Sequence, residues 1–274
     1  MCGRSDDKSD IFQSPACLSP SYEPPTVVGR NREQRQITAA LQPLTQGNPA
    51  ENLLVYGPTG VGKTRTVSHA CDQVVQDNRV TLVHINCWQY NTRASLLSQL
   101  LIELGYPVPR KGKPIDELLH RLCEWLNKHT DAAVVLDEFD RHHDQTAIAY
   151  DLEHVATEAT NELGLVLISN QPPAEINLDP RSESRLSYRS IPFKPYNEDD
   201  LIAILQERAA KAFHADAITD EALAVIANYV TTMDGDCRHA LELLHRAGRI
   251  AARNSADTVT TAHVNQSLNA QVDR

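Results

Sequence analysis

Residues 52–70 read NLLVYGPTGVGKTRTVSHA, and this stretch decides the fold. A short apolar strand over residues 53–56 leads into a glycine-rich loop, and a helical pattern follows it. The loop matches G-x-x-x-x-G-K-[ST] in the strand–loop–helix context that this motif requires, which disfavours a glycine-rich turn with an incidental lysine. Glycines let backbone N–H groups converge on phosphate oxygens, and the helix N-terminus adds its dipole. We therefore expect a phosphate site formed by Gly57, Pro58, Thr59, Gly60, Val61, Gly62, Lys63 and Thr64.

A second stretch, VVLDEFD at residues 134–140, is an apolar strand that ends in Asp137 and Glu138. Carboxylates are costly to remove from water, so two of them at the end of a buried strand need an explanation. The strand end could simply reach solvent. Alternatively, the carboxylates could face a metal ion and a nucleotide that are held by the phosphate loop. Asp137 and the Thr64 hydroxyl would hold Mg²⁺, Lys63 would reach the β- and γ-phosphates, and Glu138 would polarise an attacking water. The adjacent Asp–Glu pair favours an ATPase over a kinase or a GTPase.

Composition places the chain among cytoplasmic proteins. No apolar run approaches the roughly 20 residues of a membrane helix, the N-terminus is no signal peptide, and the six cysteines show no metal-binding spacing. The net charge is −10, and the 26 basic residues divide into 7 Lys and 19 Arg. Twenty Asp and 16 Glu make up the 36 acidic residues, a balance that favours a halophilic archaeal protein over an ordinary acidic one. Acidity counts against DNA binding, although concentrated salt itself weakens the electrostatic part of DNA affinity.

The order of patterns predicts an α/β fold. Five short apolar segments alternate with helical patterns, which is typical of a parallel sheet flanked by helices. From Pro195 onward the patterns are helical only. We expect a flexible N-terminal arm over residues 1–20, a nucleotide-binding base domain over 21–194 and a small all-helical lid domain over 195–274.

With these motifs in place the chain resembles the AAA+ ATPases, and more narrowly the archaeal origin-recognition/cell-division-control initiator family. The resemblance runs from about residue 11 to residue 271. It is carried by the ordered set IF…LSPSYEPP, VVGRNREQRQI, GPTGVGKT, VVLDEFD, LISNQ, LDPRSESRLSYRSIPFKPY and GDCRHALELLHRAG. It implies an ATP-dependent protein of DNA replication initiation with slow ATP turnover.

The resemblance also implies roles for polar residues outside the two motifs. Asn170 matches sensor 1, an amide that orients the water near the γ-phosphate; a loop-capping Asn is the alternative. Arg238 matches sensor 2, where the alternative is a solvated helix face. Arg185 matches the arginine finger that completes a neighbour's site, with Arg181 and Arg189 as the next candidates.

Four further positions of the resemblance line the nucleotide pocket in relatives. Tyr196 would contribute its ring and Arg208 its charge, with a surface salt bridge as the alternative for Arg208. Val27 and Val28 would pack near the adenine.

DNA contact is implied for the helical insertion that precedes VVLDEFD. Its turn carries Arg110, Lys111 and Lys113, and an ordinary helix-joining loop is an equally good interpretation. Relatives usually continue into a DNA-gripping winged-helix domain, whereas this sequence stops at Arg274, so it is either a shortened piece or a short paralogue.

These expectations leave two main functional hypotheses. In the first, the chain is an ATP-driven replication initiator or its regulator, with origin DNA, initiator paralogues or a second copy, and the replicative helicase as partners. In the second, it is an ATP-dependent protein-interaction switch without DNA recognition of its own. A AAA+ protein of a transposon, plasmid or chaperone is disfavoured by the LSPSYEPP segment and the helical insertion.

Overall fold

We examined the protein as a computed structural model, which describes residues 11–75, 80–106 and 112–272. The chain divides into two compact units. The sheet unit comprises Arg30–Pro58 and Gly62–Phe193. Of the described residues, the helical unit comprises 11–29, 59–61 and 194–272. The middle of the phosphate loop therefore groups with the helical unit, and both its flanks group with the sheet unit.

The sheet unit is built on five parallel strands in the spatial order β2-β3-β4-β1-β5. Strands β3 and β4 are almost wholly buried, because helices cover both faces of a sheet of this kind and its strands then become continuous apolar runs. This confirms the predicted five-stranded parallel sheet. The strands are β1 (Leu53–Tyr56), β2 (Val80–Asn86), β3 (Asp131–Asp137), β4 (Leu163–Ser169) and β5 (Arg189–Pro192).

Six helices accompany these strands in the described part of the sheet unit. They are α1 (Asn31–Leu41), α2 (Lys63–Val75), α3 (Arg93–Glu103), α4 (Ile115–Lys128), α5 (Gln145–Glu158) and α6 (Pro180–Leu186). Apolar side chains of α3, α4 and α5 pack on the sheet in one core, as Leu100, Trp125 and Leu152 show. Because parallel strands end at one edge, the residues after β1, β3 and β4 meet there.

The helical unit contains α7 (Glu198–Ala212), α8 (Asp220–Met233), α9 (Cys237–Arg253) and α10 (Thr261–Val272). The side chains of Asn197, Thr219 and Asp236 begin α7, α8 and α9, each by accepting a backbone N–H of the first turn. The unit has its own apolar core. This confirms the predicted helical lid. No helix among the described residues is both long and apolar enough to cross a membrane.

The N-terminal segment differs from the arm that we predicted for residues 1–20. Residues 1–10 lie outside the described part, but Ile11 and Leu18 are buried in the core of the helical unit. The ring of Phe12 stacks on that of Phe213, with 4.8 Å between centroids. The backbone N–H groups of Gln13 and Ser14 both donate to the Ala212 carbonyl. Apolar side chains spaced along a polar segment therefore fix residues 11–18 to the helices, and the domain division differs from the predicted one at this end.

An ion pair with a buried carboxylate and a half-buried guanidinium joins α3 to α5. The Arg93 guanidinium donates to both carboxylate oxygens of Asp151, with Nε–Oδ2 and Nη2–Oδ1 distances of 2.5 Å. The side chain of Asp151 is 1% exposed, so Arg93 supplies hydrogen bonds to its carboxylate that water does not. The hydrogen bonds to Asp151 raise the pKa of Arg93, against an opposing effect of burial.

We expect Arg93→Ala to lower the free energy of unfolding by about 3–5 kcal/mol, because it leaves the Asp151 carboxylate buried without its partner. Urea denaturation would measure this. Arg246→Ala is the matched control, since its pair with Glu242 (2.6 Å) is a surface pair of the kind that contributes about 0–1 kcal/mol. Replacing Arg93 and Asp151 together by Met and Leu should recover much of the loss. Equal effects of Arg93→Ala and Arg246→Ala would contradict the assignment.

Candidate functional site

The phosphate loop follows β1 and needs glycine at its first position. A Cβ on Gly57 would lie 2.2 Å from the carbonyl oxygen of Phe193, which no side chain tolerates. Gly62 has φ of 84°, a left-handed conformation that favours glycine. In the helical unit, the backbone N–H of Cys237 donates to the Gly60 carbonyl at 3.2 Å. The loop therefore has the tight backbone path that the motif predicts.

Lys63 begins α2 and is buried. Its ammonium group donates to the carbonyl oxygens of Gly57 and Pro58, both at 2.7 Å, and to Oδ1 of Asn170 at 2.9 Å. An ammonium group has three N–H donors, and these three oxygens match them in number. The structure thus brings together two residues that are 107 positions apart in sequence, the motif lysine and the predicted sensor 1.

Thr64 and Asp137 form the second contact of the site. The Thr64 hydroxyl donates to Oδ2 of Asp137 at 2.8 Å, and the backbone N–H of Glu138 donates to Oδ1 at 2.8 Å. Nε2 of His84 lies 3.5 Å from the same Oδ2. Burial acts to raise the pKa of Asp137, but hydrogen bonds from His84 and Thr64 outweigh it and the pKa is lowered. The carboxylate is therefore ionised at neutral pH. A hydroxyl and a carboxylate are hard oxygen donors that suit Mg²⁺, whose other ligands are commonly water and phosphate.

Glu138 follows with a backbone that non-glycine residues rarely adopt, at φ 53° and ψ 42°. Its Oε2 accepts a hydrogen bond from Nδ2 of Asn86 at 3.4 Å. The Asn86 amide oxygen in turn accepts the backbone N–H groups of Trp88 (2.9 Å) and Gln89 (3.2 Å). The carboxylate that we expect to activate water is thus held by the end of β2.

Asp140 completes the acidic segment and is buried. Its Oδ1 accepts the backbone N–H of Asn170 at 2.9 Å, and its Oδ2 lies 3.5 Å from Nε of Arg141. Asn170 is therefore fixed from two sides, by Asp140 at its backbone and by Lys63 at its amide oxygen.

Three contributors to this site were missed by sequence reasoning, namely His84, Asn86 and Asp140. Strand β2 pairs with β3 in a register that sets Asn86 opposite Asp137. The signal was present in the sequence, because HIN places two polar residues on alternate positions at the end of an otherwise apolar strand. It could not be used without knowing which strand neighbours β3.

The site carries a negative potential. Cys87, the residue after β2, has its pKa raised to about 12, first by burial and then by the charges of Asp137, Asp140 and Glu138. A potential of this sign favours a bound cation, in agreement with the Mg²⁺ expected at Thr64 and Asp137.

Several of the residues that we predicted to contact the nucleotide lie in the helical unit. Tyr196 is buried there, and its backbone N–H donates to the Gly235 carbonyl at 3.4 Å. Arg238 is exposed in the first turn of α9. Val27 and Val28 are half-buried, and Val28 packs on the core of the same unit. Their contacts with nucleotide stay predictions.

Arg208 has surroundings that exclude one of the two expectations for it, the surface salt bridge, and leave the nucleotide contact a prediction. It is 7% exposed, so it makes no surface salt bridge. Its guanidinium donates to the carbonyls of Cys17 (3.0 Å) and Tyr22 (3.5 Å) and lies 4.6 Å over the Tyr22 ring. Burial lowers the pKa of Arg208. In this structure Arg208 fixes the N-terminal segment to α7, and a nucleotide contact would have to be made in addition.

The arginine-finger candidates differ in accessibility. Arg185 is half-exposed on α6; it lies 3.9 Å from Oε2 of Glu153 and 5.4 Å over the Tyr150 ring. Arg181 is exposed on the same helix. Arg189 instead donates to the Gln36 carbonyl at 3.0 Å and pairs with Glu51 at 3.2 Å. Accessibility therefore disfavours Arg189 and does not distinguish Arg185 from Arg181, so the assignment of the finger to Arg185 stays a prediction.

The DNA candidates are placed only in part. Arg110 and Lys111 lie outside the described residues. Lys113 is described, and its Nζ lies 2.5 Å from Oε1 of Glu117, one helical turn further on. Lys113 therefore already forms an ion pair with a carboxylate of the same chain.

Comparisons with known proteins agree with this geometry. Residues 47–175 match the AAA domain, and residues 202–269 match the Cdc6 AAA+ ATPase-type lid domain. The chain is 33% identical to the ORC1-type DNA replication protein 1 of Sulfurisphaera tokodaii, over 94% of this chain and 67% of that protein. It is 31% identical to the ORC1-type DNA replication protein 2 of Haloarcula marismortui, over 93% and 64% respectively. The chain thus spans about two thirds of these relatives' length.

A solved structure extends the agreement to three dimensions. The Aeropyrum pernix ORC1 protein, determined in complex with DNA, superposes with a TM-score of 0.83 at 28% identity, over 96% of this chain and 70% of that one. The phosphate loop, the acidic pair, the parallel sheet and the helical lid are therefore parts of one known architecture. The chain belongs to the family of ORC1-type DNA replication proteins, AAA+ ATPases with a Cdc6-type lid domain.

Proposed function

We propose that this chain binds ATP with Mg²⁺ at the edge of its sheet, hydrolyses it slowly, and acts in the initiation of DNA replication. One observation carries the proposal: Lys63 meets Asn170, and Thr64 meets Asp137, at hydrogen-bonding distance and beside Glu138. Three segments far apart in sequence thus supply the charges and polar groups that phosphoryl transfer to water requires.

Each residue would have a separate task. Lys63 would donate to phosphate oxygens in place of the loop carbonyls, and Asn170 would orient the attacking water. Thr64 and Asp137 would hold Mg²⁺, which neutralises phosphate charge when bound. Glu138 would accept a hydrogen bond from the attacking water and polarise it. In the helical unit, we propose that Arg238 acts at the γ-phosphate, that Tyr196 lines the nucleotide pocket with its ring and Arg208 with its charge, and that Val27 and Val28 pack near the adenine.

Slow turnover is supported by the contact between Asn86 and Glu138. The Asn86 amide donates to the same carboxylate that would engage water, so water must compete for it. The left-handed backbone at Glu138 further restricts how the carboxylate is presented. Nucleotide would then act as a long-lived signal.

The replication role is supported by the family and by the ORC1 structure that contains DNA. We propose origin DNA and other initiator subunits as partners, the latter through the accessible Arg185, with the replicative helicase as a further partner. The alternative of a protein-interaction switch without DNA recognition has no observation that favours it.

We also propose that the protein works in the cytoplasm of a salt-accumulating archaeon. Twenty Asp against 7 Lys support this, as does the Haloarcula marismortui relative.

Lys63→Ala should weaken ATP binding by about a hundred-fold or more while the protein still folds. The change removes charge-assisted contacts to phosphate, each of about 1.5–3 kcal/mol. Isothermal titration calorimetry would measure the affinity. Lys128→Ala is the control, because Lys128 is an exposed lysine 4.0 Å from Glu124. Affinity near wild type in the Lys63 variant would overturn the phosphate-site assignment.

Glu138→Gln and Asp137→Asn should separate chemistry from metal-dependent binding. Glu138→Gln removes the group that polarises water and should reduce turnover by about 10²–10⁴-fold while ATP remains bound. Asp137→Asn removes a Mg²⁺ ligand and should weaken ATP binding only when Mg²⁺ is present. Titrations with Mg²⁺ and with EDTA, beside a phosphate-release assay, would distinguish the two. Identical behaviour of the variants in both assays would show that the division of roles is wrong.

Duplex DNA should bind weakly and with little sequence preference. The basic turn can neutralise about three phosphates, so the slope of log affinity against log salt should be about −3, with dissociation constants of about 10⁻⁴–10⁻⁶ M. Replacing Arg110, Lys111 and Lys113 together by Ala should remove most of this binding. The matched triple variant of Arg246, Arg249 and Arg253 should retain it. Tight, site-specific protection of origin DNA by residues 1–274 at molar salt would contradict the prediction.

A further inference from the structure

Trp88 is exposed in a way that the ATP site does not explain. It lies in the turn after β2 and is 60% exposed, whereas Trp125 is buried on α4. Among the described residues, the other exposed large apolar side chains are Tyr150 and Met233. Aromatic side chains of this size usually bury most of their surface, so a solvent-exposed Trp is a candidate contact surface.

The Trp88 ring shares its surface with a cation, and its backbone is bonded to Asn86. The guanidinium carbon of Arg141 lies 5.1 Å from the ring centroid. Arg141 is itself more than half exposed, and its Nε lies 3.5 Å from Asp140. The Trp88 backbone is fixed by Asn86, and the backbone N–H of His143 donates to the Asn91 carbonyl at 3.0 Å. Two loops are thus joined through their backbones, and they carry a pair of side chains that we name the Trp88–Arg141 platform.

The carboxylates near this platform are engaged within the protein. Glu138 accepts from Asn86, Asp140 accepts the backbone N–H of Asn170, and Asp144 accepts the backbone N–H of Ala147. Their charges still disfavour a run of phosphates. What the platform offers to a ligand is an aromatic face and a planar guanidinium, both of which stack on uncharged planar rings.

We propose that the Trp88–Arg141 platform binds an unpaired nucleobase of single-stranded DNA by stacking. Aromatic and Arg side chains are the groups on which proteins stack the bases of single strands. A protein-binding hot spot usually lies at the centre of a larger desolvated patch, whereas two exposed neighbours of Trp88, Gln89 next in the chain and Arg141 against the ring, are polar. One isolated flat surface fits one base better than a protein interface.

The proposal goes beyond the ATP site and the basic turn, and it relies on the proposed replication role only for the choice of DNA. Stacking on an uncharged base releases few counterions, so this contact should persist at the salt concentrations that weaken phosphate contacts. The two kinds of DNA binding are therefore separable by their dependence on salt.

The test uses Trp88 as its own reporter. The chain has two tryptophans, and in a Trp125→Phe variant Trp88 is the only one. The replacement keeps an aromatic ring against His129, on which Trp125 stacks at 4.6 Å. A ten-nucleotide oligodeoxyadenylate should quench Trp88 emission saturably at molar potassium chloride, with a log–log salt slope near zero. A duplex of the same length should not quench it.

Substitutions then assign the contact. By fluorescence anisotropy of a labelled oligodeoxyadenylate, Trp88→Ala should weaken binding about ten-fold or more, the size expected for one lost stack. Trp88→Phe should recover most of the affinity, and Arg141→Ala should give a partial loss. Gln89→Ala is the neighbouring control, and Met233→Ala is the control for an exposed apolar side chain. In the Arg110/Lys111/Lys113 triple variant, the oligodeoxyadenylate should still quench the emission of Trp88.

Three outcomes would overturn the proposal. One is an affinity for the single strand that is the same in Trp88→Ala as in the wild type. This comparison is made in the otherwise wild-type chain, so it does not depend on the Trp125→Phe replacement. Another is a Trp88-dependent salt slope as steep as that of duplex binding, which would assign the contact to phosphate. The third is a Trp88 emission shift that follows protein concentration and not the oligonucleotide, which would assign the surface to a protein contact. ATP binding by Trp88→Ala, measured in parallel, separates these outcomes from any failure of the ATP site.

Discussion

The burial of one positive charge determines how the edge of the sheet is arranged. The Lys63 ammonium leaves water at the start of α2, and it is stable there only because three oxygens replace its hydration. Two of those oxygens are carbonyls of its own loop, which constrains the loop backbone. The third belongs to Asn170, which ties the loop to the end of β4. Asp140 holds the backbone of Asn170, so the acidic segment after β3 depends on the same arrangement.

The sequence was sufficient for the fold and for most of the candidate residues that the structure brings together. Strand–loop–helix at the glycine loop, the apolar strand before Asp137 and the purely helical C-terminal region each have a pattern with a direct physical cause. Hence Lys63, Thr64 and Asp137 could be predicted to converge before any distance was known, and the family resemblance added Asn170.

Sequence reasoning failed where a side chain's role depends on its neighbours in space. His84 and Asn86 act on the acidic pair because β2 lies beside β3, and strand order is not visible in a local pattern. A surface salt bridge was one expectation for Arg208, yet the residue is buried against backbone carbonyls of the N-terminal segment. That segment was expected to be flexible because its apolar residues are sparse. Few apolar residues are enough, however, when each of them packs on a core that the helices already form.

The division of the chain between its two units limits how the protein can be taken apart. The described chain passes from one unit to the other after residues 29, 58, 61 and 193. A fragment that starts after Gly29 would leave the helical core without Ile11 and Leu18. It would also lack the Phe12 ring, which packs so closely on Gly248 that a Cβ there would lie 2.5 Å from it. The helical lid is therefore discontinuous in sequence, and recombination at a single junction could not exchange it as a whole. A functional chimera between such proteins would need to carry the N-terminal segment and the centre of the phosphate loop from the same parent as its lid.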